Sequence, residues 1–491
     1  MLKFFNSLPF FQERTGRQGL SNYETFLRQF PEYNSTKNLD AIRIRDFARL
    51  DEQIHTYLDF TGGHLVPQSL LDAHHRFLSN SILGNPHSIN PSSALSQKHI
   101  QATRNKVLSF FNAGDDYECI FTQNASAAIK IIGECYPFED NGQLLMTFDN
   151  HNSINGLREF ARAKAAPFAY SPLNDELRIN NSDLKEKLAT ITGQHKLFAF
   201  PAQSNVSGVK HNLEWIEEAQ SLGWDVLLDA AAFVPSERLD LLQHQPEFVS
   251  LSFYKMFGYP TGLGALLVKK SAYAKLAKPS FAGGTITIVS VQGDGHHLEK
   301  GPARFEEGTL NYINIPAIKM GLEYLEAMDM EKVKARVNSL TAWLLQQLRN
   351  LRHRNGQRLV TIYGPQDTQS RGGTIAMNFF DQQGRMYDFI DIEKAAYKEN
   401  ISLRTGCFCN PGIDETNHQL KAGKLQDYFQ QTGEKDYFDL IQFIDQKRGA
   451  VRVSLGYMSN FEDVERFLKF CRSFLSWKKS NQFNRSQTTL T

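Results

Sequence analysis

The chain has 491 residues, 41% hydrophobic and 22% charged, a balance that suits a soluble globular protein with one large core and at least one smaller one and excludes a disordered or fibrous chain. Lys+Arg 54 against Asp+Glu 53 leaves a formal charge of +1, so no global field draws in nucleic acid or an anionic membrane, and small-molecule chemistry is the default expectation. The apolar start MLKFFNSLPFF is too short for a secretion signal and breaks at Gln12-Glu13-Arg14; no long uncharged run follows, and an odd set of five cysteines argues against a disulfide framework, so a cytoplasmic protein is expected.

In chain order, residues 1–50 form an N-terminal segment in which Tyr23 to Phe30 has the spacing of a short amphipathic helix. Tyr57 to His64 reads as a short strand breaking at Gly62-Gly63, and Gly84-Asn85-Pro86-His87-Ser88 is a turn cluster. From Cys119 the chain reads as strand, polar turn and a helix opening on Ala125-Ser126. Such a helix start offers unpaired N–H groups and positive dipole to a phosphate, though Asn124 or Ser126 reads equally well as a plain N-cap. The strand Leu144 to Phe148 ends in Asp149-Asn150-His151, Phe198 to Pro201 runs into a turn holding Asn205, and Asp225 to Leu228 ends at Asp229. A bare carboxylate in that last position needs a cationic partner to stay charged.

The strand Phe248 to Phe253 meets Lys255, and three glycines and a proline then argue against a helix before Ala265 to Val268 resumes as a strand. A lysine at a strand end loses its charge by desolvation, and the neutral amine attacks an aldehyde to form a Schiff base. The repeated order of strand, polar turn and helix from about 115 to 270 predicts an α/β fold with a mostly parallel sheet and helices on both faces. Ile315 to Arg349 has the period of long linking helices, Gly372 to Phe380 reads as a strand, and Phe461 to Leu475 as an amphipathic helix that buries Cys471. Between these, Arg404-Thr405-Gly406-Cys407-Phe408-Cys409-Asn410-Pro411-Gly412 is a loop with two cysteines, and Ala450 to Met458 is a strand carrying Arg452. Cys-x-Cys is half of a metal site, but no second pair stands at a suitable spacing.

The segment SFYKMFGYPTGLGALLV resembles the cofactor-lysine segment of fold-type I, class V pyridoxal-phosphate (PLP) enzymes, and RTGCFCNPG resembles the molybdenum cofactor sulfurases within that class. Two departures from the general cysteine desulfurase pattern, Tyr254 where His is usual and Ala232 where Gln is usual, favour the narrower group. The resemblance implies a PLP-binding large domain (51–325) with a seven-stranded type of sheet, a small α+β domain (326–477), the 1–50 segment packed on the latter, and a disordered tail (478–491). It implies PLP held by Ala125, Ser126, His151, Asn205, Asp229, Ser252, Tyr254 and Lys255. Asn205 faces the phenolic oxygen, Asp229 the pyridinium and His151 the ring. Gly283, Gly284 and Thr285 are implied to reach the phosphate site of a second copy in a homodimer.

By the same resemblance Lys255, His151 and Cys409 are catalytic, and Arg452 binds the carboxylate of L-cysteine through paired hydrogen bonds. Arg404 adds positive charge near the substrate and thiol, and desulfurases with this loop type place the nucleophile five residues after the arginine, at Cys409 rather than Cys407. The implied reaction converts L-cysteine to L-alanine with a persulfide on Cys409, passed to a molybdenum cofactor or an acceptor protein. Eukaryotic cofactor sulfurases continue into a second large domain, which this chain is expected to lack. Another class V activity (lyase, epimerase or aminotransferase) would leave Cys409 idle, and a non-catalytic protein of this fold would need none of these groups together.

Overall fold

The structure, a computed structural model, describes residues 21–139, 141–276, 281–420, 422–431, 433, 437–445 and 447–476. The expected disordered tail, 478–491, lies outside the described residues. At the N-terminal side, Ser21 and Glu24 form a reciprocal capping box that starts the helix Asn22–Gln29. Its one buried residue, Phe26, packs on Tyr33, Trp343 and Phe461 with ring centroids 4.9, 5.8 and 4.9 Å away. Two buried arginines fasten the same region to the C-terminal part: Arg336 donates to Thr36 and Asp40, and Arg43 to Asp463 and Asp51. Strand β1 (Thr56–Tyr57) follows.

Next come β2 (Tyr117–Thr122), β3 (Gly142–Thr147), β4 (Phe168–Ser171), β5 (His195–Pro201), β6 (Trp224–Asp229), β7 (Phe248–Ser252) and β8 (Gly264–Lys269). They form one seven-stranded sheet in the order β2-β8-β7-β6-β5-β3-β4, parallel throughout except that β8 runs against both neighbours. Every residue of β6 and β7 is buried, as expected of strands covered on both faces. The period-2 pleat splits their side chains: Val226 and Leu228 join one core layer and Leu227 the other. The polar residues read at strand ends therefore gather at the carboxyl edge of the sheet, where open α/β sheets hold ligands.

An antiparallel hairpin of β9 (Ile286–Val289) and β10 (His296–Leu298) follows, pairing apart from the seven-stranded sheet. After helices Ile315–Met328 and Met330–Asn350 come β11 (Val360–Tyr363), β12 (Thr374–Phe379), β13 (Ile401–Ser402), β14 (Arg404–Gly406) and β15 (Ala450–Ser454). β11, β12, β15 and β14 form a second, antiparallel sheet in that order. β1 falls inside the 51–325 span yet pairs in parallel with β13, Thr56 opposite Ile401, and Asp59 bridges Ser454 of β15. That crossing brings residues 56–64 against the C-terminal sheet. The helix Phe461–Ser473 buries Val464, Phe467, Leu468 and Cys471, the packing its period predicts.

Candidate active site

Lys255 sits in a one-turn helix, Tyr254–Phe257, directly after β7. The glycines did not prevent this turn. Met256 and Phe257 anchor it in the core, and Gly258, at φ 78, closes it in the left-handed conformation glycine adopts without strain. Lys255 keeps some contact with solvent, but burial is the largest influence on its amine and lowers its pKa; Asp229 opposes that shift and Arg452 adds to it. Among the described residues its ammonium has no hydrogen-bond or ion-pair partner.

Asp229, 9% exposed, takes bonds on Oδ1 from the Ser250 hydroxyl (3.2 Å) and the Ala231 N–H (3.1 Å). No cation lies within ion-pair distance of it among the described residues. His151 is fixed by the Ser153 N–H, which donates to Nδ1 at 3.1 Å; in the neutral ring the proton is then on Nε2. Burial, followed by the charge of Lys255, lowers the His151 pKa.

At the start of helix Ala125–Cys135 the donors are partly used: Ala125 N–H donates to Ser252 Oγ at 2.9 Å and Ala127 N–H to Asn124 Oδ1 at 2.9 Å. The exposed Ser126 hydroxyl pairs with that of Ser153, which also bonds His151, so this helix end and the His151 loop are joined. Tyr254 lends its carbonyl to the His64 N–H at 3.2 Å, and burial raises its phenol pKa.

The two arginines are Cα partners on adjacent antiparallel strands, Arg404 on β14 opposite Arg452 on β15. Like charges placed directly opposite repel. Asp59 resolves this. Arg404 donates to it from Nε and Nη2, the latter at 2.6 Å, and Arg452 from Nη2 at 2.9 Å. A Cβ at Gly62 would lie 2.6 Å from Asp59 Oδ2 and 2.8 Å from Arg404 Nη2, so any larger residue there would have to displace the bridge. Arg452, 3% exposed, also donates from Nη1 to Asn205 O at 2.9 Å and stacks over Phe408, while its buried Nε has no partner. Burial lowers its pKa, whereas the hydrogen bonds to Asp59 raise that of Arg404.

The cysteine loop docks on this assembly. Asn152 N–H donates to Cys409 O at 2.7 Å, Asn205 Nδ2 to Phe408 O at 2.8 Å, and Asn410 Nδ2 to both Asp149 O (2.6 Å) and Asn205 Oδ1 (2.9 Å). Phe408 and Cys409 both have positive φ, 55° and 52°, a left-handed posture that costs about 1–2 kcal/mol per non-glycine residue. Cys409 is exposed and Cys407 half-buried, while Cys119, Cys135 and Cys471 are buried and burial pushes their thiols up, to about 12 for the first two. Lys255, Arg404 and Arg452 all sense the charge of Cys409.

These residues fit a pyridoxal phosphate. An aldehyde needs the unpaired buried amine of Lys255, a pyridinium needs the cation-less carboxylate of Asp229, and a phosphate suits the Ser126 hydroxyl at a helix N-terminus. Thr285 stands apart: it is fully buried beside the β9–β10 hairpin, its hydroxyl lacks a partner, and no hydrogen bond among the described residues joins it to the others. No group of three or more His, Cys, Asp or Glu able to hold a metal occurs among the described residues.

The aminotransferase class-V family matches residues 56–467. The chain belongs to that family. Pyridoxal 5'-phosphate is the cofactor this membership implies. Among curated proteins the chain is 34% identical over 92% of its length to the molybdenum cofactor sulfurase of Solanum lycopersicum and 36% identical over 88% to that of Homo sapiens. It spans 60% and 51% of those two relatives, between half and three fifths of their length. Among solved structures, the apo cysteine desulfurase of Thermococcus onnurineus NA1 shares the fold with TM-score 0.73 at 21% identity, over 89% of this chain and 97% of that one.

Within this class-V chain, the residues read from sequence lie at the carboxyl edge of the seven-stranded sheet and on the β14–β15 strands and cysteine loop docked against it, with Thr285 set apart. Sequence reasoning assigned nothing to Asp59, Asn410 or the buried pair in which His211 Nε2 meets Asp149 Oδ2 at 2.6 Å. Asp59 stands three residues before the Gly62-Gly63 turn and Asn410 inside the cysteine motif, but their partners lie far along the chain.

Proposed function

We propose that the chain is a PLP-dependent L-cysteine desulfurase of the sulfurase type, which moves sulfur from L-cysteine to Cys409 and releases L-alanine. The observation that carries this reading is the posture of Cys409. It is an exposed thiol docked through its own backbone carbonyl onto the His151 loop, within electrostatic range of Lys255 and Arg452, while three of the other four cysteines are buried.

Lys255 and Asp229 would hold the aldehyde and pyridinium ends of the cofactor, Ser126, Ala125 and Ser252 its phosphate end, and His151, Asn205 and Tyr254 the ring. Bound there, PLP supplies an electron sink for bonds at the substrate's Cα and Cβ. Arg452 receives the substrate carboxylate on its unused N–H groups, Nε among them. Lys255, whose proton burial loosens, takes the Cα proton and returns it. The Cys409 thiolate attacks the substrate sulfur; the new S–S bond forms as the substrate's C–S bond breaks, and Cβ takes up the proton that the Cys409 thiol gave up, becoming the methyl group of alanine. L-cysteine and one thiol thus become L-alanine and one persulfide, balanced without an external oxidant or reductant.

The acceptor beyond Cys409 is proposed to be a molybdenum cofactor or a sulfur-carrying protein, from the names of the relatives. Homodimerisation is supported by the apolar residues on and beside the β9–β10 hairpin: Phe281, Ile288, Val289 and Val291 are exposed next to Thr285. A cytoplasmic setting rests on composition; no described helix is long and apolar enough to cross a membrane. Incubation of the purified protein with PLP and L-cysteine, followed by mass spectrometry, is expected to add one sulfur to the peptide carrying Cys409. Formation of pyruvate and sulfide with Cys409 unmodified would replace this reading by a lyase.

A further inference from the structure

We propose that Asn410 is the positioning residue that latches the Cys409 loop in its docked posture, and that its carboxamide couples the thiol to the strand-end loops holding His151 and Asn205. The inference rests on the desulfurase reading for what the posture is used for, but the latch itself stands on geometry. Asn410 is fully buried, and its side chain is used at both ends. Nδ2 donates to Asp149 O at 2.6 Å and to Asn205 Oδ1 at 2.9 Å, whereas Oδ1 accepts the Ile413 N–H at 3.3 Å and caps helix Pro411–Asn417.

Asn205 continues the chain of contacts. Its Nδ2 donates to Phe408 O, and its backbone carbonyl accepts from Arg452 Nη1. Two carboxamides therefore tie three things together: the Asp149–His151 loop, the carboxylate-binding arginine, and the two residues, Phe408 and Cys409, that hold left-handed backbone without being glycine. A posture of that kind persists only where the surroundings over-determine it. Removing the donor NH₂ of Asn410 frees two carbonyl-type oxygens and leaves the cap intact, so the loop relaxes to ordinary backbone and Cys409 swings away. The expected consequence is a split: cofactor and substrate still bind, while the thiol is misplaced for transfer.

Asn410→Asp is the discriminating change, because Asp keeps the capping oxygen for Ile413 N–H but cannot donate to Asp149 O or Asn205 Oδ1. In a Cys407→Ser background, with the remaining three cysteines buried, iodoacetamide reports on Cys409 alone. The alkylation rate in the PLP-loaded protein is expected to rise about tenfold, as loss of one or two ordinary hydrogen bonds would allow, with the visible spectrum unchanged. In turnover, kcat is expected to fall about tenfold while the KM for L-cysteine stays within twofold. Asn410→Ser, which also caps, is expected to behave alike, so a shared effect excludes loss of the cap as its cause. An unchanged alkylation rate in both variants overturns the latch.

If neither variant folds, hydrogen exchange decides in the unaltered protein. The Asn152 N–H, which donates to Cys409 O, is expected to be protected, and exchange there at an open-loop rate refutes the docked posture. Should alkylation respond while the parent protein forms no persulfide, the latch holds and the desulfurase reading fails.

Discussion

Cys409 lies near enough to Lys255 to influence its amine, yet the chain holds the two residues in opposite ways. Lys255 is set by packing: β7 is buried along its whole length, and Met256 and Phe257 pin its turn into the main core. Cys409 is set by hydrogen bonds to backbone carbonyls, over left-handed residues that would relax if released. Packing of the first kind survives the loss of any single polar contact, whereas a posture built from a few bonds of about 1 kcal/mol each does not. The lysine end of the site is thus rigid and the cysteine end is conditional, a division that suits the role proposed for the thiol, to collect sulfur first and then present it.

The comparison breaks most completely at the rigid end. Lys255→Ala removes the amine that has no hydrogen-bond or ion-pair partner among the described residues, so the visible band of lysine-bound PLP is expected to vanish and L-cysteine turnover to drop by about 10³-fold or more. An unchanged absorption spectrum in this variant would sink the whole site assignment.

At the conditional end, Cys409→Ser is expected to keep PLP and bind L-cysteine through Arg452 while persulfide formation stops, because a hydroxyl cannot accept the sulfur and is scarcely ionised at neutral pH. Cys407→Ser is expected to retain most of its turnover. If Cys407→Ser is the dead variant instead, sulfur transfer survives as the mechanism and the nucleophile is the earlier cysteine.

Asp59 links the two ends, and Asp59→Asn sharpens how. The substitution keeps the shape but leaves the buried Arg452 guanidinium without its carboxylate, a loss of about 3 kcal/mol for a broken buried pair. Arg404, half of whose side chain is exposed, recovers its hydration and contributes little. A ligand carboxylate on Arg452 supplies the missing charge, so saturating L-alanine should raise the melting temperature of the variant more than that of the parent. Equal melting temperatures in the absence of ligand would mean that Asp59 is not the counter-ion of Arg452.

What the chain disclosed in advance follows the same division. Residues at the sheet's carboxyl edge are legible because each ends or follows an apolar strand in sequence: Asp229 at the last position of β6, His151 after β3, Lys255 after β7. The contacts that hold the cysteine loop and the arginines are not, since Asn205 and Asn410 lie 205 residues apart, and Asp59 is 345 residues from Arg404 and 393 from Arg452. No local period encodes such a pair. The turn at Lys255 departs from the sequence expectation for a related reason: glycine-rich composition argues against helix, and the core packing of Met256 and Phe257, with Gly258 as its cap, outweighs it.

The smallest effect lies beside the rigid end, at His64, whose N–H donates to Tyr254 O. Its ring is buried, stacked on Tyr457 with centroids 4.9 Å apart, and its Nδ1 has no partner. Burial pushes its pKa from 6.5 down to about 3. The folded protein therefore keeps His64 neutral while the unfolded chain takes up a proton as the pH falls past 6.5, so this residue's share of stability is full above that value and is lost progressively as the pH drops towards 3. One pKa unit is about 1.4 kcal/mol, which makes the loss roughly 2 kcal/mol by pH 5. His64→Phe removes this proton uptake, and its denaturant-derived stability, followed from pH 7 to pH 5 at saturating PLP, should fall less steeply than the parent's by that amount. Parallel curves would show that His64 is protonated in the fold, and that the packing around the lysine turn is looser than its rigid role requires.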